Sequence, residues 1–145
     1  MENRENWILL ALQVASKKGL TPAQLQKTLF LLQRAFPNAP SLNYSFQPYN
    51  YGPFDATIYQ DAETLADILL VEIHHKKGYG WGTYHISDAG EPIAQEKMNE
   101  LDETIRNYLT KLVLWVQSVS FQKLIGSIYK KYPQYAVNSI FRNTK

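Results

Sequence analysis

Cysteine is absent from this sequence. That absence excludes disulfide staples, thiolate nucleophiles and thiolate zinc sites, and it fits a reducing cytoplasm. Net charge is also small, +2 from 15 Lys and Arg against 13 Asp and Glu, too little to imply nucleic-acid binding by itself. The first six residues, Met1 to Asn6, open acidic and polar, and the apolar run after them is short. Neither a signal peptide nor a membrane span is therefore expected. No Gly-x-Ser-x-Gly, P-loop or His-Glu-x-x-His motif occurs. Asp61 and Glu63 lie two apart on an expected helix and face different directions, and Glu100, Asp102 and Glu103 read as a solvated face. The expectation is a protein that is not an enzyme and carries no cofactor. Histidines number three, and adjacent strand residues point to opposite faces, so His74 and His75 do not share an ion. Pairing one of them with His85 makes a two-ligand site at most, too few for a metal.

What the sequence does have is apolar and aromatic mass. Hydrophobic residues make up 45% and aromatics 13% of 145 residues, enough for a core without staples. No repeat, linker or low-complexity tract divides residues 1–145, so one domain is expected, with a core over 5–90 and a C-terminal helical extension over 91–145.

Apolar spacing predicts an amphipathic helix from about Glu5 to Lys18, ended by Gly19. Thr21-Pro22-Ala23-Gln24 opens a second helix, with Thr21 as N-cap, Pro22 in the first turn and Gln24 closing a capping box. Asn43 to Gln47 alternates polar and aromatic residues and reads as a short strand. Next comes the most compressed stretch, Pro48-Tyr49-Asn50-Tyr51-Gly52-Pro53-Phe54-Asp55, in which two prolines fix φ, Gly52 permits a positive φ, and three aromatics need burial or a partner. Pro53 suits a first helical turn, and Asp55 is expected to begin the third helix. Strands follow on either side of the glycine-rich tip Lys76–Gly82, and Ser87 or Asp88 leads into the next helix. Glu91 to Val119 reads as one long helix whose Met98, Leu101, Ile105, Tyr108, Leu112, Trp115 and Val119 keep a three-four spacing. That stripe serves either packing within the monomer or a homodimer seam over residues 98–119. Ser120 caps a last helix, and the apolar tail from Tyr135 to Phe141 is expected to dock. The element order is that of a mainly α (α+β), winged-helix-like domain with a small hairpin wing and long C-terminal helices.

Leu25-Gln26-Lys27-Thr28-Leu29-Phe30-Leu31-Leu32, the turn Tyr49-Asn50-Tyr51-Gly52-Pro53-Phe54 and the junction Tyr84-His85-Ile86-Ser87-Asp88-Ala89-Gly90 together resemble the Panacea (SocA-like, phage-associated) proteins and their bacterial relatives. Tyr129-Lys130-Lys131-Tyr132-Pro133-Gln134-Tyr135 is similar to a C-terminal segment of those relatives. The turn departs from the usual pattern in its Tyr-Asn-Tyr sequence and in Phe54 after the proline. The resemblance implies a cytoplasmic, non-enzymatic module without cofactor or catalytic residues, of a kind that includes antitoxins neutralising a toxin protein.

Two binding surfaces compete. The protein-binding reading uses Tyr44, Tyr49, Tyr51, Phe54 and Asp61, because tyrosine combines large area with low entropy cost at interfaces. A DNA-binding regulator would use Lys76, Lys77, Tyr79 and Trp81 on the wing, with Lys27 and Arg34 beside Lys17 and Lys18 on phosphates. Against the second, Pro48 to Ile73 holds Asp55, Asp61, Glu63, Asp67 and Glu72 and no cation, although a recognition helix must approach phosphates. A protein partner is favoured over nucleic acid, and no membrane is expected.

Overall fold

A computed structural model describes residues 3–75, 77–78 and 82–141. Helix α1 (Asn6–Ala15) is its axis. Trp7, Ile8, Leu9, Leu10, Ala11, Leu12 and Ala15 are all buried, so α1 is covered on more sides than an amphipathic helix would be. A 3-10 turn over Ser16–Lys18 closes it, and Gly19, at φ 66°, leads out. The turn residue Leu20 exchanges two backbone hydrogen bonds with Tyr84, Leu20 N–H donating at 3.0 Å and Tyr84 N–H at 2.8 Å. Helix α2 (Pro22–Ala35) then starts on the expected capping box, with Gln24 N–H donating to Thr21 Oγ1 at 3.1 Å and Thr21 N–H to Gln24 Oε1 at 2.9 Å.

The next stretch differs from the sequence reading. The aromatic turn is itself a hairpin, β1 (Gln47–Tyr49) antiparallel to β2 (Gly52–Phe54), with Asn50 and Tyr51 at its tip. The strand therefore begins at Gln47 rather than Asn43, and Pro53 sits opposite Pro48 rather than in a helix. Two prolines can face each other because a two-stranded ribbon has edges on both sides, where a missing N–H breaks no ladder. Asp55 precedes α3 (Thr57–Asp67) and caps it from outside, accepting from Thr57 N–H at 2.9 Å and Thr57 Oγ1 at 2.7 Å.

Strands β3 (Val71–His75) and β4 (Gly82–Ile86) form the expected wing hairpin. With α1, the Leu20 bridge, α2 and α3 preceding it, the arrangement is winged-helix-like and mainly helical. Tyr79 and Trp81, and Lys76 with them, lie outside the described residues.

Helix α4 (Gly90–Glu100) and helix α5 (Glu103–Ser118) replace the single long helix expected from 91 to 119. Asp102 makes the break: at ψ 133° it is extended, and its carboxylate accepts from Thr104 N–H at 3.0 Å and Ile105 N–H at 3.3 Å as an N-cap. Arg106 closes the preceding end, donating to the carbonyls of Met98 and Leu101 at 3.2 and 3.1 Å. A continuous seam over 98–119 therefore does not exist. Met98 and Leu112 are buried, and Leu101, Ile105, Trp115 and Val119 pack against the same core as α1. Helix α6 (Phe121–Lys131) starts on Ser120, whose Oγ accepts from Lys123 N–H at 3.0 Å. Ser120→Ala is expected to cost about 1 kcal/mol, read as a lower urea midpoint with an unchanged slope.

The tail docks as expected, and its target is the β1–β2 hairpin. Asn138 Nδ2 donates to the Pro48 carbonyl at 3.1 Å. Ile140 N–H and Ser139 Oγ donate to the Asn50 carbonyl at 3.0 and 3.2 Å.

Candidate functional site

Two glutamines of α2 hold the loop that carries the hairpin. Gln33 Nε2 donates to the Tyr44 carbonyl at 2.8 Å and its Oε1 accepts from Tyr44 N–H at 2.9 Å. Two turns earlier on the same face, Gln26 repeats the arrangement with Asp55, at 2.8 and 3.0 Å. Each amide mimics one rung of a sheet ladder, satisfying backbone groups that burial would otherwise strand. Neither glutamine carries a motif that marks this role in the sequence. A glutamine seven residues after another on an otherwise apolar helix face is the signal that was there.

Between these clamps and the docked tail, the hairpin overhangs the first turns of α2 and α6. The result is a groove of about 690 Å³, lined by Thr21–Gln24, Lys27, Tyr49–Gly52, Phe54, Tyr59, Phe121 and Leu124. Its wall is a row of rings: Tyr49 stacks on Phe54 at 5.1 Å, Phe54 meets Tyr59 edge-on at 5.7 Å, and Tyr51 meets Phe121 edge-on at 5.4 Å. Tyr49 and Tyr51 remain 53% and 43% exposed, so this aromatic area is presented outward. Burial pushes the Tyr59 phenol up to about 12, against an opposing hydrogen bond with Gln26. Among the described residues no carboxylate lines the groove.

Among the described residues its one charged side chain is Lys27, only 3% exposed. Nζ donates to the Pro53 carbonyl at 3.3 Å, and among the described residues no carboxylate pairs with it. Burial lowers its pKa to about 8. Lys27 therefore does not belong to an exposed phosphate-contacting face. Arg34 is exposed but lies over the Tyr132 ring at 5.1 Å, and Lys18 donates to the Gln117 carbonyl at 3.2 Å. The cationic face proposed for phosphates is dispersed.

The structure divides the protein-binding set. Tyr49, Tyr51 and Phe54 share the groove. Tyr44 is core: it is buried, and its hydroxyl donates to Asp61 at 2.7 Å. Burial, then that hydrogen bond, pushes the phenol far up. Asp61 also takes Arg4 Nε at 2.9 Å, and Arg4 lies over the Tyr44 ring at 4.8 Å. Both residues are thus parts of an internal clamp between the N-terminus and α3 rather than contacts for a partner. Asp55 is likewise held inside: burial raises its pKa, but hydrogen bonds from Thr57 and Ser45 outweigh that and leave it lowered. Gln60, Glu63, Thr64 and Asp67 form the exposed face of α3, and it offers no cation.

On the wing, the His74 and His85 rings stack at 4.0 Å, and His74 Nε2 lies 2.9 Å from Glu72 Oε1. Burial, and then His74, lower the pKa of His85. No group of three or more His, Asp or Glu able to hold a metal occurs among the described residues. Two further depressions are smaller, at about 540 and 370 Å³. One, lined by Asn3, Asn6, Lys97, Glu100 and Asp102, mixes both charge signs; the other lies between α5 and α6. Among the described residues no helix is long and apolar enough to cross a membrane. Neither a protein-family model nor a curated protein matches the sequence.

Proposed function

We propose that this protein is a non-enzymatic binding module that receives a protein partner in the groove beneath the β1–β2 hairpin. The role is antitoxin-like or regulatory, of the phage-defence or toxin–antitoxin kind that the Panacea resemblance implies, and it is exercised in the cytoplasm. One observation carries the reading: an aromatic groove, without a carboxylate among its described lining residues, with two half-exposed tyrosines at its lip. Aromatic side chains fixed in place before binding give contact area at low entropic cost, which is the composition of interface hot spots. The clamps by Gln26 and by the tail supply that rigidity. The acidic outward face of α3 works against the alternative, a winged-helix regulator reading DNA.

Tyr51→Ala removes a lip residue that is 43% exposed, so folding is expected to survive and partner binding to fall. The check is a pull-down from native lysate with both proteins, run before and after nuclease treatment. A protein retained by the wild type and lost by the variant supports the proposal. Nucleic acid recovered equally by both before nuclease treatment, with no enriched protein, overturns it in favour of the wing.

A further inference from the structure

The groove joins apolar walls to a buried cation, Lys27, and that combination specifies an occupant. Lys27 has three N–H donors and, among the described residues, only the Pro53 carbonyl to receive them. Beside it, the Tyr129 hydroxyl is buried without a hydrogen-bond partner. Both lie under Gly52: a Cβ built there would meet Tyr129 Cε1 at 3.4 Å and Lys27 Cε at 3.9 Å. The first turn of α2, the positive end of its dipole, forms part of the same wall. With no carboxylate among the described lining residues, the floor favours one negative charge delivered at the end of an apolar body.

We propose that the partner inserts its own C-terminus here, its terminal carboxylate on the Lys27 ammonium and its last side chain, aromatic or large aliphatic, among Tyr49, Phe54, Tyr59 and Phe121. An internal Asp or Glu could supply the charge, but two flanking stretches of backbone would enter an apolar groove with their N–H and C=O groups unpaired. A free terminus enters alone. The lowered pKa of Lys27 agrees with this arrangement, since an ammonium without a counter-ion gains most from an arriving carboxylate.

This inference rests on the protein-binding reading of the groove, and the test separates the two. Fluorescently labelled tetrapeptides ending in Phe, Tyr, Trp, Leu, Ile, Val or Met are titrated as free acids and as C-terminal amides, alongside N-acetyl-phenylalanine as a small acid. Binding is measured to the wild type, Lys27→Met and Lys27→Gln, each first shown to unfold cooperatively. At least one free-acid peptide is expected to bind more tightly than its amide by about tenfold or more, with both variants abolishing the preference. Equal binding of acid and amide overturns the carboxylate site while leaving the groove as a protein-binding surface. Binding of no peptide overturns the inference as well, and N-acetyl-phenylalanine binding as tightly as the best peptide assigns the site to small acids instead. Failure of the Tyr51→Ala comparison would remove the groove itself.

Discussion

Lys27→Met is expected to stabilise the protein at neutral pH and to flatten its stability between about pH 8 and pH 10. In the folded state burial lowers the Lys27 pKa from 10.5 to about 8. Below pH 8 both folded and unfolded states hold the proton, and the folded state carries the full cost of a buried ammonium. Between the two values the unfolded state binds a proton that the folded state has released, so stability rises with pH. The shift corresponds to about 3 kcal/mol in total. Tyr44, Tyr59 and Tyr84 act in the opposite sense: their phenol pKa values are raised, so the folded state keeps protons the unfolded state loses, and stability falls above about pH 10. The informative window therefore ends there. Methionine matches the length of the lysine stem without its charge, and should gain up to about 3 kcal/mol at pH 7. Urea unfolding at a series of pH values checks this. A wild-type midpoint that climbs while the variant stays high and flat agrees; two parallel curves contradict it.

The second large effect concerns Asp61. Asp61→Lys is expected to destabilise the fold by about 3 kcal/mol, because it strands the buried Tyr44 hydroxyl and sets a cation against Arg4. The guanidinium is about one-third exposed, so the ion pair supplies less of that cost than the phenol. Tyr44→Phe in the Asp61→Lys background should recover part of the loss, since the orphaned hydroxyl is then gone. Thermal unfolding of the single and double variants measures the coupling. Loss of partner binding in Asp61→Lys with an unchanged melting temperature would instead make Asp61 a contact residue.

Local chemistry made much of the fold legible. Thr21-Pro22-Ala23-Gln24 announces its helix because the cap and its reciprocal bond lie within four residues, and Ser120 does the same for α6. The break at Asp102 is not legible in the sequence because Met98, Leu101 and Ile105 keep a three-four rhythm across it, which masks a cap that uses one carboxylate. The β1–β2 hairpin was hidden by Pro48 and Pro53, which argue against strands unless the ribbon is known to have free edges. At the site, Tyr49, Tyr51 and Phe54 could be named because they crowd one turn. Lys27 could not be assigned to it, since a lysine on a helix reads as exposed until the hairpin that covers it is in place. Tyr44 and Asp61 met through the path of a long loop, which sequence spacing does not encode.

If the groove under the hairpin, and not the wing, meets the partner, the two faces should differ in what they touch. Site-specific photo-crosslinking in native lysate tests this, with p-benzoylphenylalanine placed at Tyr51 in one preparation and at Lys77 in another. The expected result is a discrete protein adduct from position 51, suppressed by an excess of unlabelled wild-type protein, and none from position 77. Nucleic acid crosslinked at position 77, with no protein adduct at 51, would contradict the groove as the partner's site.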